Sequence, residues 1–282
     1  NTSYLDVDEI AAATSRPQDV LGLHFFSPAN VMKLLEIVRA AKTAPDVIAT
    51  ALDVARKIGK VSVVVGVCQG FVGNRMLTAR GSQLEPLLLQ GASPQQVDRV
   101  FTEFGFPMGP FAMMDMAGLD IGWRKRKALG QRALIADALA DEGHFGQKTG
   151  RGFYRYAEGS RTPEPDAEVA RLIEETAKAQ GIERREISDE EILERTLYPL
   201  VNEGARILEE GIAARASDID VVWVNGYGFP IGKGGPMFWA GLEGLSKIVE
   251  RLDHWRGKTG EAVFEPAALL RQLAAEGGSF AR

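Results

Sequence analysis

The strongest constraint on what this chain can fold into is that part of it recurs. Gly105-Phe106-Pro107-Met108-Gly109 returns as Gly228-Phe229-Pro230-Ile231-Gly232, an offset of 123 residues (105 to 228). Ala117-Gly118-Leu119-Asp120 matches Ala240-Gly241-Leu242-Glu243 at the same offset, and Gln90-Gly91 matches Glu210-Gly211 at 120. One short string can recur by chance, but a recurrence that keeps register through its flanks is the mark of a duplicated unit, with the three-residue difference absorbed in a loop. Two copies of one helical domain are expected. Such copies commonly pack on each other, burying faces that a single-copy chain would bury by dimerising.

Helix signals support the duplication. Ser93-Pro94-Gln95-Gln96 and Ser188-Asp189-Glu190-Glu191 both read as capped helix starts, and Val97, Val100, Phe101 and Phe104 lie on one face of the first. Phe71 to Gln90 reads as an apolar helical stretch bent at Pro86, and Met113 to Ala140 as helix. Ala157 to Glu168, rich in proline and glycine, reads as a linker.

The first 70 residues differ in character. Asp6-Val7-Asp8-Glu9 starts a short helix, Val20 to Phe26 and Leu34 to Val38 read as strands, and Val61 to Val67 is a β-branched third strand. Between them a helix with Pro45 in its first turn presents Val47, Ile48, Ala51, Leu52, Ala55 and Ile58 and is capped by Gly59. Strand, strand, helix, strand is α/β in character. It is too little to close a doubly wound sheet, so an unpaired edge is expected. The predicted fold class is thus an α/β remnant followed by two mainly α-helical repeat domains, predominantly helical overall.

The chain has 282 residues, 45% of them hydrophobic, and a formal charge of −5, which favours a globular protein and disfavours nucleic acid as a partner. Arg124-Lys125-Arg126-Lys127 reads as a solvated helix face. No apolar run approaches the roughly 18 residues needed for a membrane span. Cys68, the single cysteine, excludes an intramolecular disulfide and reads as a small buried residue after a strand. Together with the lack of a signal-peptide pattern, this predicts a cytoplasmic protein. No metal site is predicted. The opening on Asn1 rather than Met leads us to expect a piece of a longer polypeptide.

One of three histidines, His24, lies in an apolar strand, and a lone carboxylate, Glu36, follows twelve residues later within Leu34-Leu35-Glu36-Ile37-Val38. The pair reads either as an acid/base couple or as hydrogen-bonded core residues, and periodicity leaves both open.

Leu23-His24-Phe25-Phe26-Ser27-Pro28, Glu36, Gly70-Phe71-Val72-Gly73-Asn74-Arg75, Gly105-Phe106-Pro107-Met108-Gly109-Pro110 and Gly146-Gln147-Lys148-Thr149-Gly150-Arg151-Gly152-Phe153-Tyr154 occur in the order seen in 3-hydroxyacyl-CoA dehydrogenases. The chain resembles that family over nearly its whole length. The resemblance implies the end of a Rossmann-type NAD-binding domain over 1–70, a first helical dehydrogenase domain over 71–156, a linker over 157–187 and a second helical repeat over 188–282. It implies oxidation of (3S)-3-hydroxyacyl-CoA to 3-ketoacyl-CoA with NAD as cofactor. By the same resemblance His24 is the base, Glu36 holds its other ring nitrogen, Asn74 and Ser3 lie at the substrate oxygen, and Ser3, Ser27 and Lys148 lie at the cofactor. Relatives often carry Tyr two residues before the Tyr227 position, where this chain has Asn225.

The second helical copy resembles the multifunctional fatty-acid oxidation enzymes of bacterial type, and this implies a thiolase partner subunit for the parent protein. The alternatives are a short-chain 3-hydroxybutyryl-CoA dehydrogenase and a non-catalytic helical assembly module. A glycine-rich strand-to-helix turn with an acidic residue about 20 positions on, which a dinucleotide site needs, is absent from these residues. The chain by itself is therefore expected to be inactive.

Overall fold

The computed structural model describes residues 2 to 280. The chain divides into two compact units, one holding the residues up to Gly81 together with those from Glu194 onward, the other holding Ser82–Leu193.

In the first unit, α1 (Val7–Ala12) starts where the sequence indicates, with the Asp6 carboxylate accepting from the Asp8 and Glu9 amides. Strands β1 (Leu21–Phe25), β2 (Leu34–Arg39) and β3 (Val61–Gly66) form one sheet in the order β1-β2-β3, with α2 (Pro45–Lys57) linking the last two. β1 runs antiparallel and β3 parallel to β2. The central strand is buried from Leu34 to Val38. Because side chains alternate across a strand, Leu35 and Ile37 meet Ala51 and Ala55 of α2, with Leu21, Leu23 and Phe25 packed alongside. Ile58, expected on the buried face of α2, is 49% exposed, because the helix has already ended there and Gly59 turns the chain at φ 71°. Among the described residues β1 has no strand on its outer side, which is the open edge the sequence predicts, and β3 carries only the isolated bridge from Val65 to Ala213.

The opposite face of the sheet presents Gly22 and His24 from β1 and Leu34, Glu36 and Val38 from β2. A Cβ on Gly22 would lie 3.1 Å from Val7, so α1 closes over this face at one end. At the other end comes α3 (Gly73–Gly81).

The second unit holds α4 (Leu84–Gln90), α5 (Pro94–Phe104), α6 (Pro110–Ala117), α7 (Leu119–Ala128), α8 (Ala136–Asp141) and α9 (Ala167–Ala179). The chain breaks at Ser82-Gln83, ahead of Pro86, which is the third residue of α4, where a backbone N–H would lack a helical partner in any case. The stretch read as continuous helix from Met113 to Ala140 is three helices, interrupted first at Gly118, whose φ of 97° no ordinary helical residue adopts. Within 157–187, α9 is capped by the Asp166 side chain. α10 (Asp189–Glu209), capped by Ser188, leads into the first unit, followed there by α11 (Ala216–Gly226), α12 (Pro236–Glu243), α13 (Leu245–Thr259) and α14 (Ala268–Ala275).

Each unit carries the same device. Asp98 of α5 accepts from the Phe111 and Ala112 amides at 2.9 Å each, at the start of α6. Asp220 of α11 accepts from Met237 at 2.7 Å and Phe238 at 3.2 Å, at the start of α12. Gly109 and Gly235 leave no room for a Cβ, which would sit 2.3 Å from the Asp98 or Asp220 Cβ. Gly118 (φ 97°, ψ 120°) heads α7 as Gly244 (φ 98°, ψ 112°) heads α13. The copies are thus related with an offset of 126 (118 to 244) beyond Pro230, and Gly118 corresponds to Gly244 rather than to Gly241. The three inserted residues are the 3₁₀ turn Ile231–Lys233. Letter identity alone had carried the register past that insertion.

Candidate active site

β1 and β2 pair so that His24 stands directly opposite Glu36. The antiparallel register puts both side chains on one face, and the imidazole Nδ1 lies 2.6 Å from Glu36 Oε2. His24 is 3% and Glu36 0% exposed. A bare carboxylate at such depth would be costly, and here every side of it is met. Its Oε1 accepts from the Val72 amide at 3.2 Å and the Gly73 amide at 3.0 Å, at the start of α3. A carboxylate that accepts from two backbone amides can only accept from the imidazole as well, so Nδ1 carries the proton.

The turn that presents those amides is unusual. Gly70 has φ 81° and Phe71 φ 47°, a left-handed conformation that a bulky side chain seldom adopts. The Phe71 amide closes the turn on the Cys68 carbonyl at 3.1 Å. Cys68, expected to be buried, is half-buried, its thiol raised above its ordinary pKa chiefly by burial. α3 is then bolted down by Arg75, which donates to Glu203 of α10 at 2.6 Å and in a fork to Glu210 at 2.6 and 2.8 Å. That fork, more than any other influence, holds the Glu210 carboxyl below its usual range.

With Nδ1–H committed to Glu36, Nε2 has a free lone pair, and the Ser3 hydroxyl donates to it at 2.9 Å. Phe26 and Phe71 wall the ring, with centroids 4.5 and 5.5 Å away. Asn74, one residue into α3, has its Oδ1 2.8 Å from the Tyr227 hydroxyl. Tyr227 stacks on Trp223 at 4.7 Å and meets the Phe26 ring edge-on at 5.5 Å. Ser3, His24, Glu36 and Asn74 therefore all sit in the first unit, around the face of one strand pair that lies opposite α2 and the start of α3.

Ser27 is exposed, just past the end of β1. Lys148 belongs to the second unit, where its ammonium pairs with Asp120 and lies 5.5 Å over the Phe145 ring. The nearby glycines serve packing: a Cβ on Gly146 would fall 2.2 Å from the Asp115 carbonyl oxygen, and one on Gly152 would fall 2.1 Å from the Asp115 carboxylate. The segment wraps Asp115 and forms no phosphate cradle. Among the described residues no cluster of metal-ligating side chains exists. Asn225 donates to the Val221 carbonyl of its own helix at 2.9 Å.

Tyr227 and Phe71 escaped the reading of the sequence. Tyr227 meets Asn74 across 153 residues, which no local pattern reveals. For Phe71 the preceding glycine was the available signal, since a Gly-Phe step before a helix marks a tight turn.

The NAD-binding domain of 3-hydroxyacyl-CoA dehydrogenase matches residues 1–68, and the C-terminal domain of the same family matches twice, at 70–156 and 192–279. The human peroxisomal bifunctional enzyme is 47% identical over 98% of this chain and 41% of its own length, and the zebrafish enzyme is 46% identical with the same coverage. The alpha subunit of the fatty acid oxidation complex of Shewanella amazonensis is 39% identical over 99% of this chain and 40% of its own length. The chain thus spans about two fifths of the curated relatives it matches. Among solved structures, the dehydrogenase part of multifunctional enzyme 1 from C. elegans superposes with a TM-score of 0.74 at 37% identity, covering 96% of this chain and 63% of that one. The Escherichia coli 3-hydroxybutyryl-CoA dehydrogenase gives 0.80 at 25% identity, covering 98% of this chain and 74% of that one. These relatives correct one expectation: the more similar enzymes are named peroxisomal, and that finding overturns the cytoplasmic assignment. By its matched domains, which cover most of its length, the chain belongs to the 3-hydroxyacyl-CoA dehydrogenase family.

Proposed function

We propose that this chain is the dehydrogenase part of a multifunctional fatty-acid β-oxidation enzyme that oxidises (3S)-3-hydroxyacyl-CoA to 3-ketoacyl-CoA. The observation that carries the reading is the relay Ser3–His24–Glu36, with Nδ1–H on Glu36 and the Nε2 lone pair facing the Ser3 hydroxyl. His24 Nε2 takes the proton of the substrate 3-hydroxyl. Glu36 fixes the tautomer and stabilises the imidazolium that forms. Once the substrate hydroxyl takes the place of Ser3 on Nε2, the Ser3 hydroxyl and the Asn74 amide are donors toward the substrate oxygen.

NAD, when bound, would supply the hydride acceptor for the carbon that bears the 3-hydroxyl. The residues present fit only its nicotinamide end, where Ser27 offers an exposed hydroxyl beside Phe26 and Ser3 a second one. Lys148 is held in an ion pair with Asp120. The phosphate-binding turn is not in these residues, and the chain alone should not turn over substrate. We place the NAD-binding remnant at 1–70, the helical copies at 71–156 and 188–282 with 157–187 between them, and a thiolase as partner of the parent protein.

The test is His24→Gln in the complete protein. If His24 is the base, turnover falls roughly 100-fold or more while the melting profile is unchanged. Undiminished turnover would remove the assignment and favour a helical assembly module. The likeness to 3-hydroxybutyryl-CoA dehydrogenase supports a second reading, a short-chain substrate. Activity across acyl lengths decides between the two.

A further inference from the structure

We infer that Tyr227, supplied by the second helical copy, is the residue that orients the Asn74 amide so that its NH₂ faces the substrate oxygen. This rests on the dehydrogenase reading of the site and deepens it. A side-chain amide has an acceptor end and a donor end, and only the donor end can stabilise the substrate oxygen as it gives up its proton to His24 and gains negative charge. Asn74 stands half-buried at the second residue of α3, where nothing in its own chemistry chooses between the two orientations. The Tyr227 hydroxyl, 2.8 Å from Oδ1, makes that choice by donating to the acceptor end.

Tyr227 is itself held rigidly. Its ring lies against Gly73, where a Cβ would come within 2.4 Å of Cε2 and 2.5 Å of the hydroxyl oxygen. Trp223 stacks on one side and Phe26 abuts the other, so the ring is continuous with the wall of His24. One residue earlier, Gly226 lets α11 press onto the sheet, since a Cβ there would fall 2.5 Å from Leu34. Burial raises the phenol well above its ordinary value, and the neighbouring Glu36 charge adds to this, so the hydroxyl keeps the proton that it donates. A residue from the far end of the chain thereby sets the direction of an amide in the α/β part. Asn225, where relatives often carry a tyrosine, is tied to its own helix and plays no such part.

The test is a double-mutant cycle in the complete protein with Tyr227→Phe, Asn74→Ala and their combination, measuring kcat, KM and thermal unfolding. Tyr227→Phe removes one oxygen and keeps the stacking. If Tyr227 acts through Asn74, kcat falls roughly ten-fold, a part of the 100-fold typical of losing an oxyanion donor, while KM changes by less than about three-fold. The combined variant is then no slower than Asn74→Ala. Normal turnover in Tyr227→Phe beside an impaired Asn74→Ala overturns this inference and leaves the site reading standing. Losses that multiply in the combined variant also overturn it, since Tyr227 would then act independently. Normal turnover in Asn74→Ala overturns the assignment of Asn74 and this inference with it.

Discussion

Glu36→Gln separates what the Glu36 carboxylate does for chemistry from what it does for the fold. The carboxylate makes three hydrogen bonds: Oε1 to the Val72 and Gly73 amides and Oε2 to His24 Nδ1. Glutamine has nearly the same shape but only one acceptor. Two backbone donors compete with one imidazole for it, so the amide oxygen turns toward α3 and the NH₂ toward Nδ1. His24 must then shift its proton to Nε2, and the lone pair that would accept the substrate proton is lost. A wrong tautomer of this kind costs on the order of 10³ to 10⁴ in turnover. The fold should lose about 1 kcal/mol or less, because the neutral amide escapes the cost of a buried charge while keeping both backbone bonds. Glu36→Ala behaves differently. It orphans two buried N–H groups at about 1–3 kcal/mol each, and a drop in Tm on the order of ten degrees is expected. The assay is NADH formation by the complete protein, with calorimetry on the same samples. Turnover in Glu36→Gln within ten-fold of the parent would refute the tautomer argument.

Two further predictions concern packing and pH. Gly73→Ala pushes a methyl into the Tyr227 ring, so turnover should fall at least ten-fold and stability by about 1–3 kcal/mol, whereas Gly81→Ala, at which a Cβ meets nothing within 4 Å, should be silent in both kinetics and melting. Asp220 is raised from 3.8 to about 6, chiefly by burial, so the folded state binds its proton more tightly than the unfolded chain. Its contribution is fully present below about pH 4 and lost as pH rises through 6, a change of about 3 kcal/mol. Asp220→Asn should flatten urea-unfolding stability between pH 4 and 6, and a variant profile as steep as the parent's would refute the assignment.

The three strands, the cap of α1 by Asp6 and the capped starts at Ser93 and Ser188 were legible in the sequence because each depends on neighbours within a few residues. His24 and Glu36 could be named as a pair, but the register that sets them opposite each other is a property of two strands meeting, and the sequence left it open. The amides on Glu36 come from a turn 36 and 37 residues away, and the hydroxyl on Asn74 from 153. Such contacts leave no periodic trace. Helix breaks at Gly118 and ahead of Pro86 were missed for the opposite reason: the apolar pattern continues smoothly across them, and only backbone angles record the stop.

The 3₁₀ insertion and the Tyr227 contact together give the duplication a direction. At the position of the first copy that corresponds to Tyr227, the chain carries Phe104, whose ring stacks on Phe106 at 5.8 Å. The ancestral unit thus exists here in two dialects, and only one includes the hydroxyl. A gene-conversion event that overwrote the second copy with the first would preserve a plausible helical domain, complete with its aspartate at the next helix start. It would also write a phenylalanine against Asn74. Selection on the dehydrogenase site should therefore keep the copies diverged at this position even where packing would let them converge.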